Sequence, residues 1–343
     1  MNILLVLTGG TICTSVRDGL RTLDTESASL RLVEAFRNSG SVFAESTRFT
    51  VGERFHTLSE NMTVAVWNRM ADYFRTVDFA QFDGVIVAHG TDTLAYTASM
   101  FALLLTGVGV PIIFVSSNAP LEHGDTRANG AANFRAAVEC VGGGIPAGVY
   151  VTYRNVTDRR MYLHKACHLK QCGDYSEDFH SAGALDITET LSGISGAAEA
   201  KTPLLYALDE PLTDCVLHIH PYVGIRYDAY NVEKFRAVLH GTYHSGTACI
   251  SDGHAPNSIL YLLNRCADAG TELYLSPAWN QGEVYDTVPV MLNHVHGGKR
   301  IIPLYGTTTE TAYCKLLLWH SCGGVREQCP DFLTCNFCGE AIQ

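Results

Sequence analysis

Basic residues are scarce in this chain. Its 343 residues include 24 Lys and Arg against 35 Asp and Glu, a formal net charge of −11, so it lacks the overall attraction for phosphate backbones or anionic lipid that a nucleic-acid or membrane-surface partner requires. The opening MNILLVLTGG has neither a basic n-region nor a small-residue cleavage site, and residence in the cytoplasm is the expectation. A long apolar run is also missing. The uncharged stretch 94–118 is divided by Thr106, Gly107, Gly109 and Pro111 into a helix-length piece and a strand-length piece, which argues against a membrane span. Cysteine, at 12 residues, is well below the density of a disulfide scaffold, and eight of the twelve are scattered from Cys13 to Cys314 as reduced thiols would be. There is no internal repeat and no low-complexity tract.

What is present is a chain that can bury cores. Hydrophobic residues make up 47%, and at roughly 150 residues per domain the length suggests two domains. Apolar runs (ILLVL, FTV, GVIVA, PIIFV, GVYV) alternate with helix-period segments (LRLVEAF, VAVWNRMADYF, ASMFALLL, ANFRAAVEC). Runs apolar at nearly every position suit strands covered on both faces, and their alternation with helices predicts a parallel sheet. A second pattern runs from VLHIH through SILYLLNRCADAG, ELYLS and RIIPL to TAYCKLLLW. The fold class is therefore α/β, with two α/β domains: a larger N-terminal one carrying a mostly parallel doubly wound sheet, and a smaller C-terminal one. The expected boundaries are 1–182, a Ser/Thr/Gly/Ala-rich connection over 183–213, 214–320, and a Cys-rich tail over 321–343.

Ligands of doubly wound sheets bind beyond the carboxyl ends of the strands, where two Gly/Thr motifs fall. TGGTI follows ILLVL, bringing glycines for close backbone approach and the Thr11 hydroxyl; HGTDT follows GVIVA, setting Thr91 beside Asp92 at an expected helix N-terminus. Taken singly, TGGTI is also an ordinary strand-to-loop turn and Asp92 an ordinary N-cap. A threonine hydroxyl needs a base before it becomes a nucleophile. Lys165, in YLHKACH beyond GVYV, falls on the same sheet edge if its strand is parallel; the alternative is a solvated loop lysine.

In order and spacing, TGGTI, HGTDTLAYTA, FVSSNAPLEHGDTRANGAANFRAAV and TTTETAYCKLLLW resemble the bacterial-type L-asparaginases of the asparaginase/glutaminase family, over nearly the whole chain to about Trp319. LSENMT resembles that family's substrate loop. The resemblance implies that Thr11 is acylated and that Thr91, Asp92 and Lys165 form a hydrogen-bonded triad. It further implies that Ser59 takes the substrate's α-carboxylate, that Glu60 and Asp92 take its α-ammonium, and that Thr91 also borders it. The implied reaction is hydrolysis of L-asparagine to L-aspartate and ammonia through a threonyl acyl-enzyme, with no metal or organic cofactor. The partner is a small amino-acid amide, and the implied assembly is a homodimer or homotetramer in which a neighbour's second domain closes the site. Glutamine or another ω-amide, or binding without turnover, are the alternatives.

Three departures from the family pattern bear on substrate choice. Residues 14–31 lack the family's lid tyrosine and Leu20 stands about where it belongs, leaving Tyr153 or Tyr162 to substitute from elsewhere. HKACHLKQCGDYSEDF is longer than its family equivalent, and SSNAP replaces small-x-Met-basic-Pro. Two cysteine groups raise the question of metal. His164, Cys167, His168 and Cys172 read as ordinary pocket residues rather than a zinc set, because a metal there would compete with Lys165. Cys322, Cys329, Cys335 and Cys338 crowd the tail, with structural zinc, a disulfide or redox pair, and free thiols all open. All matched motifs precede Cys322, so the tail is expected to be dispensable for the chemistry.

Overall fold

The uncharged runs at the front of the chain become strands covered on both faces. In the computed structural model, which describes residues 1–121, 128–189, 201–278 and 282–342, the chain separates into two units, Met1–Tyr206 and Ala207–Gln343. That division falls inside the expected connection 183–213, of which residues 190–200 lie outside the described residues, as do residues 122–127 of the third family-like segment.

The first unit begins with β1 (Asn2–Leu7), a hairpin of β2 (Thr14–Arg17) and β3 (Leu20–Leu23), α1 (Thr25–Arg37), β4 (Arg48–Arg54) and α2 (Val64–Arg75). It continues with β5 (Gly84–Ala88), α3 (Leu94–Leu105), β6 (Pro111–Val115), α4 (Gly130–Gly142), β7 (Gly148–Arg154) and β8 (Met161–Lys165). Three short strands follow, β9 (Leu169–Lys170), β10 (His180–Ser181) and β11 (Leu185–Asp186).

The main sheet has the order β11-β8-β7-β6-β5-β1-β4. Strands β4, β1, β5, β6 and β7 are parallel, while β8 is antiparallel to β7 and β11 to β8. Every residue of β5 and β6 is buried, as their uninterrupted apolar sequences require. The helices follow from capping and periodicity. Thr63 caps α2 by accepting from the Val66 amide, and Val64, Trp67, Met70, Ala71 and Phe74 form its buried stripe. Helix α3 is uncharged and buried at every position but Tyr96, ending at Leu105 just ahead of the Thr-Gly-Val-Gly turn. No helix among the described residues is long and apolar enough to cross a membrane.

The chain leaves β1 toward β4 on one side and returns through β5 to β6 and β7 on the other. The reversal of strand order therefore lies between the adjacent strands β1 and β5. A crevice opens at such a point beyond the carboxyl ends of the strands.

The second unit is also α/β: β12 (Val216–Ile219), β13 (Ala237–His240), α5 (Ile259–Ala269), β14 (Glu272–Ala278), α6 (Thr287–Asn293), β15 (Ile302–Tyr305), α7 (Thr309–Ser321) and α8 (Gly323–Gln328). Its sheet is parallel throughout in the order β12-β13-β14-β15. The Cys-rich tail is part of this unit. Phe332 and Cys322 are fully buried and Phe337 nearly so, and the Lys315 ammonium on α7 meets the Glu340 carboxylate at 2.6 Å with both side chains 3% exposed.

Candidate active site

Three loops converge beyond β1, β4 and β5, and they touch because side chains are missing. Gly10 has φ +74°, and a Cβ there would stand 2.1 Å from the Cα of Gly90; a Cβ on Gly90 would stand 2.4 Å from the Ser59 hydroxyl oxygen. Only glycine allows these approaches. Backbone hydrogen bonds join the same loops, from the Thr8 amide to the Ala88 carbonyl at 2.9 Å and from the Thr57 amide to the Thr8 carbonyl at 2.8 Å. His89 is wholly buried and its Nδ1–H donates to the Gly90 carbonyl at 2.7 Å. Burial holds its pKa down at about 4, so it stays a neutral strut.

Over these loops lies a cavity of about 660 Å³ lined by Thr11, Ser59, Glu60, Thr91 and Asp92. Thr11 and Thr91 are half-buried, and Glu60 and Asp92 reach solvent. Asp92 is not the helix cap. Its carboxylate accepts from the buried Ser59 hydroxyl at 2.6 Å, and the residue that opens α3 is Thr93, whose own hydroxyl donates to the Ser59 carbonyl at 2.9 Å. Gln171 serves the helix end in their place. Its Oε1 accepts from the Ala95 amide at 3.4 Å, and its Nε2 donates to the Thr91 carbonyl at 2.9 Å. The positive end of α3 thus faces Thr91 and Asp92, and favours negative charge developing there.

Residues 2–184 match the family model described as "Asparaginase, N-terminal". The chain belongs to the asparaginase family. Among its curated relatives, it is 29% identical over 256 residues to a protein of Thermoplasma volcanium and 31% identical over 295 residues to one of Haloquadratum walsbyi, each named as a subunit of glutamyl-tRNA(Gln) amidotransferase. Those matches cover 70% and 83% of this chain but 59% and 63% of the relatives, so the chain spans about three-fifths of their length. The thermostable L-asparaginase of Thermococcus kodakarensis superposes with a TM-score of 0.72 at 20% identity, covering all of both chains. L-asparaginase I of Vibrio cholerae gives 0.71 at 21%, covering 100% of this chain and 99% of that one. At these identities the shared property is the two-unit α/β fold.

One residue read from the sequence as part of this asparaginase-family site lies elsewhere. Placing Lys165 with the threonines required its strand to run parallel to β7. Instead β8 is antiparallel: Met161 pairs with Arg154 at the site edge and Lys165 pairs with Tyr150 toward the opposite edge, where it is exposed and outside the cavity. Among the described residues, the cation lining the cavity is Arg21, on the hairpin that follows TGGTI.

The two candidate replacements for the lid tyrosine also separate. Tyr162 donates to the Asp158 carboxylate at 2.8 Å on the surface. Tyr153 lines the cavity, fully buried, its ring edge-on to Phe179 at 4.8 Å. Burial pushes the pKa of the Tyr153 hydroxyl well up, so it stays a neutral phenol. Leu20, at the tyrosine's expected place, is 71% exposed.

The long segment after β8 supplies a wall of the cavity: Cys172, read from the sequence as a pocket residue, lines it, and so do Gln171 and Glu177, which sequence reasoning missed. Glu177 accepts from the Asn118 side chain at 3.2 Å, and Asn118 and Asn129 exchange backbone-to-side-chain hydrogen bonds at 3.0 Å each. Asn118 is thus what the SSNAP departure brings to the site. Cys172 is no rival nucleophile, since burial, aided by nearby carboxylates, pushes its thiol up to about 12. The Cys172 thiol donates to the Asp178 carbonyl at 3.3 Å, and His164 Nδ1 shares a hydrogen bond with the Ser181 hydroxyl at 2.8 Å. Among the described residues, the group of three potential metal-ligating side chains is Cys329, Asp331 and Cys335, in the tail.

Proposed function

We propose that this chain hydrolyses the ω-amide of a free amino acid, L-asparagine first, through a threonyl acyl-enzyme. The observation that supports it is the convergence of Thr11, Ser59, Glu60, Thr91 and Asp92 on one cavity where the strand order reverses. The Thr11 oxygen attacks the amide carbon and the C–N bond breaks. Ammonia leaves with the hydroxyl proton. Water then splits the ester, adding its oxygen to the acyl carbon and returning a proton to Thr11. Glu60 and Asp92 bind the α-ammonium, Ser59 the α-carboxylate, and Thr91 at the α3 terminus orients the water and helps to hold the oxyanion. With Lys165 outside the cavity, proton handling falls to the cavity carboxylates and water. The active assembly is a homodimer or homotetramer.

A second reading comes from the curated relatives. Their name makes them subunits of an amidotransferase for glutamyl-tRNA(Gln); in such a setting the cavity would take glutamine and release its ammonia for a partner. Ammonia release from asparagine and from glutamine by the purified chain, with Thr11→Ala as control, separates the readings. Calorimetric binding of either amino acid without release would make the chain a binding protein, and release undiminished in Thr11→Ala would overturn the nucleophile.

A further inference from the structure

We propose that Cys329, Asp331 and Cys335 form a binding site for a thiophilic divalent cation of the zinc class. The three ligand atoms lie within 4.8 Å of one another. Cys329 Sγ is 3.5 Å from Cys335 Sγ and 3.6 Å from Asp331 Oδ1. A tetrahedral ion with bonds of about 2.3 Å to sulfur and about 2.0 Å to oxygen sets such ligand atoms about 3.5 to 3.8 Å apart, so these edges are already those of a coordination tetrahedron. A disulfide would need only the two sulfurs at about 2.05 Å and gives Asp331 no part.

The turn is shaped for this before any ion arrives. The amides of Phe332 and Cys335 donate to the carbonyls of Cys329 and Asp331 at 3.0 and 2.8 Å, which folds the loop so that both cysteines present to one side. Beneath it, the Lys315 ammonium donates to the Cys335 carbonyl at 2.8 Å and lies 5.1 Å from the centre of the buried Phe332 ring. Cys322 is not a member, because its thiol is buried and donates to the Glu210 carbonyl at 3.3 Å. The fourth coordination position is left to water on the side where Asp331 is exposed. Binding replaces two thiol protons by one dication, giving two thiolates and a carboxylate around the ion with a net charge of −1.

The test uses the full chain, reduced, stripped with a chelator and titrated with Co²⁺ alone. The expected result is one equivalent bound, with thiolate-to-cobalt charge-transfer absorption and tetrahedral visible bands that Zn²⁺ abolishes. Cys329→Ser and Cys335→Ser should each weaken binding by roughly 100-fold or more, and Asp331→Asn by roughly 10-fold or more, while Cys249→Ser leaves it unchanged. Should the variants misfold, alkylation of the native chain decides, since Zn²⁺ must protect Cys329 and Cys335 selectively. Absence of thiolate-to-cobalt absorption, absorption that survives both serine variants, or recovery of Cys329 and Cys335 as a disulfide from freshly reduced protein would each overturn the site.

Discussion

Gly10 and Gly90 meet backbone to backbone where the two threonine loops cross, so the hydroxyls that line the cavity are placed by residues with no side chain. Gly10→Ala should therefore lower thermal stability by more than the roughly 1 kcal/mol of an ordinary Gly-to-Ala strain, through both the clash and the φ of +74°. Thermal melts check this. Thr11→Val and Thr91→Val keep volume and remove one hydroxyl, and each should cut amide hydrolysis about 10³-fold or more with an unchanged circular dichroism spectrum. Lys165→Met should leave the rate within about twofold, because the ammonium is exposed toward the far edge of the sheet. A loss comparable to Thr11→Val would return the lysine to the mechanism. These contrasts show what single residues disclose: a Gly-Thr pair after an apolar run carries its own placement. A lysine at a strand end depends on which way the strand points, and its residue types do not encode that.

Direction is a property of elements. GVIVA and PIIFV could be read as buried strands to the residue, since each is a short Val/Ile-rich apolar run bounded by turn residues, as a doubly covered strand is. Strand β8 reverses because the Asn155–Arg160 turn is short enough to fold straight back, the Asn155 amide donating to the Arg160 carbonyl at 3.0 Å. A crossover to a parallel partner needs a dozen residues or more. The cap of α3 was hidden for another reason: Gln171 lies 76 residues beyond the amide it accepts from, and no local pattern announces so distant a partner. Gln171→Ala should loosen the first turn of α3 and the Thr91 carbonyl together. We expect kcat to fall roughly 10- to 100-fold, as for other supporting residues, with KM little changed. Equal loss in KM alone would make Gln171 a substrate contact.

At the scale of the molecule, the tail belongs to the second unit's core, where its sequence, past the end of the family-like motifs, had suggested an appendage. Glu340→Ala leaves the Lys315 ammonium buried without its carboxylate, a change that costs about 3 to 5 kcal/mol. Urea denaturation should show it, and truncation after His320 should leave a second unit that no longer unfolds cooperatively. Acid acts on both units through His89, His164 and His240, each at most 1% exposed and each held by burial at about 4 against an ordinary value near 6.5. Because the unfolded chain binds these protons first, the stabilisation is complete above about pH 6.5 and is lost as pH falls toward 4. Each histidine adds up to about 1.4 kcal/mol per pH unit to the slope. A urea midpoint that stays level from pH 7 to pH 4.5 would contradict this. The Lys315–Glu340 pair also has a consequence in time. The two residues are 25 positions apart, and at about 5 to 20 residues per second of synthesis the ammonium waits about 1 to 5 s for its counter-charge to be made. Closing α7 against its own core before then would bury the ammonium without its counter-charge, so the second unit is expected to close only once Glu340 has been made.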